Sequence, residues 1–165
     1  PSQKGIGGPV SEARMALIHN HKARDLAENI LWSIGLAPNW DNSRTRGRYG
    51  EWLGRRLLRR KGYRIVVANW RSSCDRRQEI DLVCRKDGVL VFVEVRASSE
   101  DALVRGFDSL GSRKMKSLRR SFKAYLREAN FNANHYRFDV IEVDLPSAEG
   151  NKPKVFHHEN VAIFA

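Results

Sequence analysis

Three carboxylates, Glu51, Asp81 and Glu94, stand in stretches that are otherwise basic or apolar. Glu79–Arg85 and Val89–Ala97 are runs of β-forming residues separated by Asp87-Gly88, a two-residue hairpin turn. A turn of that length pairs Lys86 with Val89, Arg85 with Leu90 and Val83 with Phe92. Asp81 then falls opposite Glu94, and Glu79 opposite Arg96. Directly opposed carboxylates have Cβ atoms about 5 Å apart and repel. In an apolar hairpin a shared proton, a neighbouring cation or a bound metal must offset that repulsion. Oxygen-only ligands suit Mg²⁺ or Mn²⁺ rather than zinc. The competing reading leaves both groups in water at strand ends, neutralised by Arg96.

Glu51 is the sole acid among nine basic residues between Arg44 and Arg64. It shares a helical stripe with Gly54 and Leu58, and a small residue at Gly54 lets that helix approach a sheet closely. The bland alternative is an acid near a helix start, where it favours the dipole.

The elements that position these groups read as an α/β domain with a mixed sheet. Ser11 is a plausible N-cap for a helix to about Ile34, and Gly35–Gly47 reads as a linker. A helix over Arg48–Lys61 is stopped by Gly62, and Tyr63–Asn69 is a β-branched strand. Arg71–Gln78 is a polar loop before the hairpin. Ser112–Ala129 forms a helix whose apolar stripe is Met115, Leu118, Phe122, Tyr125, Leu126 and Ala129. Lys116, Arg120, Lys123 and Arg127 fall on another face. His135–Asp144 closes the domain as a strand ahead of Pro146. The expected division is residues 1–45 as an N-terminal extension, 46–146 as the α/β domain and 147–165 as a C-terminal tail.

The net charge is +11, and nearly all of the excess lies between residues 44 and 129. A polyanion is the natural partner of such a patch, nucleic acid the commonest. Arg55, Arg59, Arg60, Lys116, Arg120 and Lys123 are candidate phosphate contacts, each also readable as an ordinary solvated residue. Trp70, with Arg71 beside it, leads into the polar loop and is the best base-stacking candidate. No apolar run approaches the roughly 20 residues that span a bilayer. Pro1–Val10 lacks the pattern of a signal peptide. Cys74 and Cys84 are not spaced as a metal knuckle and fit a reducing compartment, so the expected location is the cytoplasm. No Ser/His/Asp arrangement, zinc site or phosphate-cradling glycine loop is present.

Glu51 on a first helix, Glu79-Ile80-Asp81 opening one strand and Val93-Glu94-Val95-Arg96 on the next together resemble the PD-(D/E)XK nuclease superfamily. More narrowly, Gly50-Glu51, Asn69-Trp70-Arg71, Glu79-Ile80-Asp81-Leu82-Val83, Val91-Phe92-Val93-Glu94-Val95-Arg96 and Arg137-Phe138-Asp139-Val140 resemble the YraN family of small bacterial proteins. The resemblance covers about Arg48 to Asp144. It implies a restriction-endonuclease-like αβββαβ core, related to Holliday-junction resolvases, behind an N-terminal helical extension. It also implies a catalytic set of Glu51, Asp81, Glu94 and Arg96, with Asp81 and Glu94 as ligands to Mg²⁺ or Mn²⁺ and Glu79 in support. Two departures stand out. Gln78 replaces the family's usual glycine, and Arg96 occupies the superfamily's lysine position, where an arginine cannot serve as a base.

The activity implied is metal-dependent hydrolysis of phosphodiesters in DNA, structured or branched DNA among the substrates, with a homodimer suiting enzymes that cut both strands. The alternative is a non-catalytic nucleic-acid-binding module that keeps a nuclease fold. A third class is an assembly protein acting through the first helix.

Overall fold

The computed structural model describes residues 23–36, 38, 42–102, 109–131, 135–147 and 151–163. The chain divides into two compact units, residues 1–39 and 40–165. In the first, residues 23–33 are helical (α1). Leu26, Ile30 and Ile34 recur along it at helical spacing and are exposed. The expected cap at Ser11 lies outside the described residues. No helix among the described residues is long and apolar enough to cross a membrane.

The second unit is built from α2 (Ser43–Arg60), β1 (Arg64–Arg71), β2 (Glu79–Lys86), β3 (Val89–Ser99), α3 (Ser112–Glu128), β4 (Tyr136–Leu145) and β5 (Lys154–His158). The sheet runs β1-β2-β3-β4-β5. Its β3–β4 pair is parallel and the other three pairs are antiparallel. The expected order of helix, three strands, helix and strand is therefore present, with one strand added.

Two stretches differ from the sequence reading. The helix α2 begins at Ser43, inside the expected linker, because Asn42 caps it: Asn42 Oδ1 accepts the backbone N–H of Arg44 at 2.9 Å and of Thr45 at 3.4 Å. Gly47 is carried inside the helix at a cost of about 1 kcal/mol. The other is the expected C-terminal tail, which contains β5, paired along β4 from Val140↔His158 to Asp144↔Lys154. Beyond β5, the N–H of Val161 donates to the Phe138 carbonyl and Ile163 is buried.

Each face of the sheet has a distinct filling. Leu118, Phe122 and Tyr125 of α3 pack on Val83, Leu90, Phe92, Phe138 and Val140, with Met115 and Leu126 at the margin. The rings of Phe92 and Phe122 stack at 4.3 Å. On the other face α2 lies so close that a Cβ on Gly50 would sit 2.6 Å from Ala97 Cβ. One on Gly54 would touch Ile141 and Val95 at 3.4 Å. Gly50 is thus the tighter point, and it fixes the height of the neighbouring Glu51 over the sheet.

Candidate metal-assisted active site

The hairpin register follows the turn as expected from Lys86↔Val89 to Leu82↔Val93. The regular ladder stops there, one pair short of Asp81 and Glu94. Val95 N–H instead donates to Asp81 Oδ2 at 2.7 Å, so a carboxylate takes the place of a backbone acceptor. At the same level of β1, Asn69 lies between the pairs Ala68↔Leu82 and Trp70↔Ile80 with φ 53°. Asparagine tolerates that left-handed conformation better than most residues. Its side chain hydrogen-bonds Glu51. The β2–β3 ladder does not reach Glu79 and Arg96; on its other side Glu79 pairs with Arg71 of β1, both in the strand register and through an ion pair at 2.9 Å.

Glu94 is 3% exposed. Lys114 Nζ lies 2.7 Å from its Oε1, and an Arg96 guanidinium nitrogen lies 3.7 Å from the same oxygen. The Arg96 guanidinium is oriented by Ser109, whose Oγ accepts from Nε at 3.2 Å and from a terminal nitrogen at 2.8 Å. Lys114 was not singled out by the sequence. It brings a lysine ammonium to Glu94 from α3, beside the Arg96 of β3.

All three carboxyls are pushed above their ordinary range. For Glu94 burial is the main cause and Asp81 the next, with Lys114 and Arg96 opposing; the result is a pKa pushed up to about 7. Asp81 is raised by burial, then held back by the Val95 N–H and Lys114. Glu51 is raised by burial and by Asp81, with Asn69, Arg55 and Arg48 opposing. Asp81 is thus the electrostatic link between the other two.

Among the described residues no group of three or more His, Cys, Asp or Glu is arranged to hold a metal ion. Glu51 neighbours Asp81 without joining Asp81 and Glu94 into a closed ligand set. Asp81 and Glu94 remain as a pair, and their known hydrogen bonds and ion pairs engage one oxygen of each. Such a pair fits Mg²⁺, which keeps several waters and commonly takes one or two carboxylates plus substrate phosphate. It does not fit a zinc site or a calcium cage.

The expected nucleic-acid contacts fall in three places. Lys116, Arg120 and Lys123 are exposed on α3 and, with Arg119, line a surface depression of about 350 Å³. Arg59 and Arg60 are exposed in the last turn of α2, while Arg55 is half-buried and close enough to lower the pKa of Glu51. Trp70 is half-buried with its ring edge-on to Tyr125 at 5.3 Å, so much of it is committed to the core. The polar loop after β1 is tied to α3 by Glu128, which accepts from Ser72 Oγ at 2.5 Å and from the Ser73 N–H at 3.1 Å.

A family model described as "Uncharacterised protein family UPF0102" matches residues 50–143, more than half of the chain. The chain belongs to UPF0102. The UPF0102 protein of Pelotomaculum thermopropionicum is 40% identical over 114 residues, covering 69% of this chain and 92% of that relative. One from Porphyromonas gingivalis is 36% identical over 115 residues, 70% of this chain and 82% of the relative. One from Pseudomonas aeruginosa is 37% identical over 114 residues, 68% and 87% respectively. UPF0102 is thus the family that the YraN-like motifs pointed to. The matched span holds Glu51, Asp81, Glu94, Arg96 and Lys114, and ends before β5.

Proposed function

We propose that this UPF0102 protein is a divalent-metal-dependent endonuclease acting on DNA, with a restriction-endonuclease-like core of the PD-(D/E)XK type. The observation that carries the reading is the buried Asp81–Glu94 pair, both carboxyls raised chiefly by burial and flanked by Lys114 and Arg96. The element order α2-β1-β2-β3-α3-β4 is the order such a core requires.

Asp81 and Glu94 would hold Mg²⁺ or Mn²⁺, which when bound supplies Lewis acidity toward the phosphodiester. Glu51 keeps Asp81 in an acidic neighbourhood and fixes Asn69. Arg96 stays charged throughout the accessible pH range, so it stabilises charge on the phosphate and moves no proton. Ser109 holds it in place for that task. Lys114 neutralises Glu94 in the resting site and adds a second positive charge where phosphate arrives. The basic groups of α3 and the end of α2 meet the nucleic-acid backbone and give affinity without reading bases.

A second reading also has an observation behind it. The Lys114 ammonium already sits 2.7 Å from Glu94 Oε1, as it would in a nucleic-acid-binding module that has given up its metal. Nicking of supercoiled plasmid against Mg²⁺ concentration separates the two. The enzyme reading predicts nicking that rises with Mg²⁺. Salt-sensitive DNA retention that ignores divalent ions, with no nicking, would establish the binding module instead.

A further inference from the structure

Glu142 lies on β4 and is the parallel-strand partner of Arg96. It is 5% exposed. One of its oxygens, Oε2, is 3.1 Å from His158 Nε2. The other, Oε1, is buried and has no hydrogen-bond partner among the described residues. A buried carboxylate oxygen without a donor is destabilising, and native structures seldom leave one so. Arg96 is the nearest candidate by register, but its guanidinium is turned to Ser109 and Glu94.

The sheet register sets the geometry. Glu94 pairs with Val140 and Val140 pairs with His158, so the three form one row across β3, β4 and β5. Arg96 and Glu142 form the next row. Side chains alternate between faces along a strand, so Glu94, Arg96 and Glu142 project from the face that carries Phe92, Phe138 and Val140. Neighbouring strands are about 4.8 Å apart, which puts the Glu94 and His158 backbones roughly 10 Å from each other. The imidazole of His158 is 37% exposed, so the pair is reachable from solvent.

We infer that Glu142 and His158 form a second divalent-cation subsite, separate from Asp81 and Glu94. Carboxylate oxygen and imidazole nitrogen bind such ions at about 2.0–2.2 Å, so ligands sharing a shell stand roughly 3 Å apart, as these two do. A cation chelated by both oxygens of Glu142 also satisfies the orphaned Oε1. Mixed nitrogen and oxygen donors select a transition-series ion over Mg²⁺, which prefers oxygen alone. The remaining positions are open to water or a phosphate oxygen. The subsite does not depend on the chain cutting DNA.

Titration of the intact protein with Mn²⁺, following the electron paramagnetic resonance of free Mn²⁺, tests this. Wild type and Asp81→Asn are expected to keep the subsite, with Mg²⁺ competing at least tenfold more weakly. Glu142→Gln and His158→Gln are each expected to weaken it at least tenfold. Wild-type Mn²⁺ affinity in both of those variants overturns the inference, as does a wild type that binds no Mn²⁺. Should circular dichroism find Glu142→Gln unfolded, the more exposed His158→Gln decides alone. Cleavage, measured separately with Asp81→Ala, stands or falls without reference to this result.

Discussion

Lys114 Nζ and Glu94 Oε1 meet at 2.7 Å, although one residue belongs to α3 and the other to β3 on the sheet that α3 covers. The contact ties the docking of a helix to the charge of the site. Removing it as Lys114→Met leaves Glu94 buried with the more distant Arg96 as its ion-pair partner among the described residues. Because Lys114 is one-third exposed, solvent screening limits the stability loss to about 1–2 kcal/mol at pH 8. Cleavage is expected to fall at least a hundredfold, and Lys114→Arg to restore part of it. Equilibrium urea unfolding and a cleavage time course check the two halves.

Glu94 gives the stability of the protein a defined pH slope. Its folded pKa, about 7, is raised above its unfolded value. The proton is therefore held more tightly in the folded state. That contribution is fully present below the ordinary carboxylate range and is lost as pH rises through about 7. Glu94→Gln has no such group and should show a flatter stability profile between pH 5 and pH 8.5. The difference is expected to reach about 2–3 kcal/mol at most. Mg²⁺ should raise the melting temperature of wild type at pH 8, release a proton on binding at about pH 6 to 6.5, and leave Glu94→Gln unchanged. A parallel slope in both proteins contradicts the assignment.

Gly50 sets the height of α2. A methyl there would come within 2.6 Å of Ala97 Cβ, so Gly50→Ala forces the helix off the sheet. A loss of about 1–3 kcal/mol is expected, the usual range for overpacking. Ala97→Gly removes the clashing methyl and should recover much of it, with a coupling measurable in a double-mutant cycle. Purely additive single effects would locate the strain elsewhere.

Asp139 is buried and held by Arg137 at 2.8 Å, His157 at 2.9 Å and the Asn160 N–H at 3.0 Å. Burial works against its charge, but these partners overcome it and keep its pKa below the ordinary value. Its contribution is thus present at neutral pH and lost as pH falls through the folded value. Asp139→Asn is expected to destabilise by on the order of 3 kcal/mol at pH 7. Mg²⁺ binding per folded molecule should be unaffected. The Arg137-Phe138-Asp139 motif is then structural, an anchor between β4 and the chain after β5.

On α3, Lys116→Ala and Lys123→Ala are each expected to reduce the slope of log affinity against log salt by about one, uniformly across DNA sequences. An unchanged slope would take the nucleic-acid backbone off this face.

The hairpin was legible from the sequence because Asp87-Gly88 fixes a register between two continuous runs of β-forming residues. The last pair was not, because Asn69 adopts φ 53° and Asp81 caps Val95 instead of continuing the ladder. Gly54 was readable as a close approach, while Gly50 became meaningful only with Ala97 opposite it. Lys114 looked like any other base on an amphipathic helix, since its reach depends on how α3 docks. The strand β5 is half polar, and His157 and His158 gained partners only through pairing with β4. The Asn42 cap was present in the sequence but obscured by the Pro, Asn and Gly residues around it.

The most direct test is cleavage of labelled linear, single-stranded, flap and four-way DNA with Mg²⁺ or Mn²⁺, comparing the intact protein with Asp81→Ala. Divalent-dependent cutting of at least one substrate, abolished by Asp81→Ala, is the predicted result. Cutting that persists in Asp81→Ala, or no cutting of any substrate by either protein, would contradict the account.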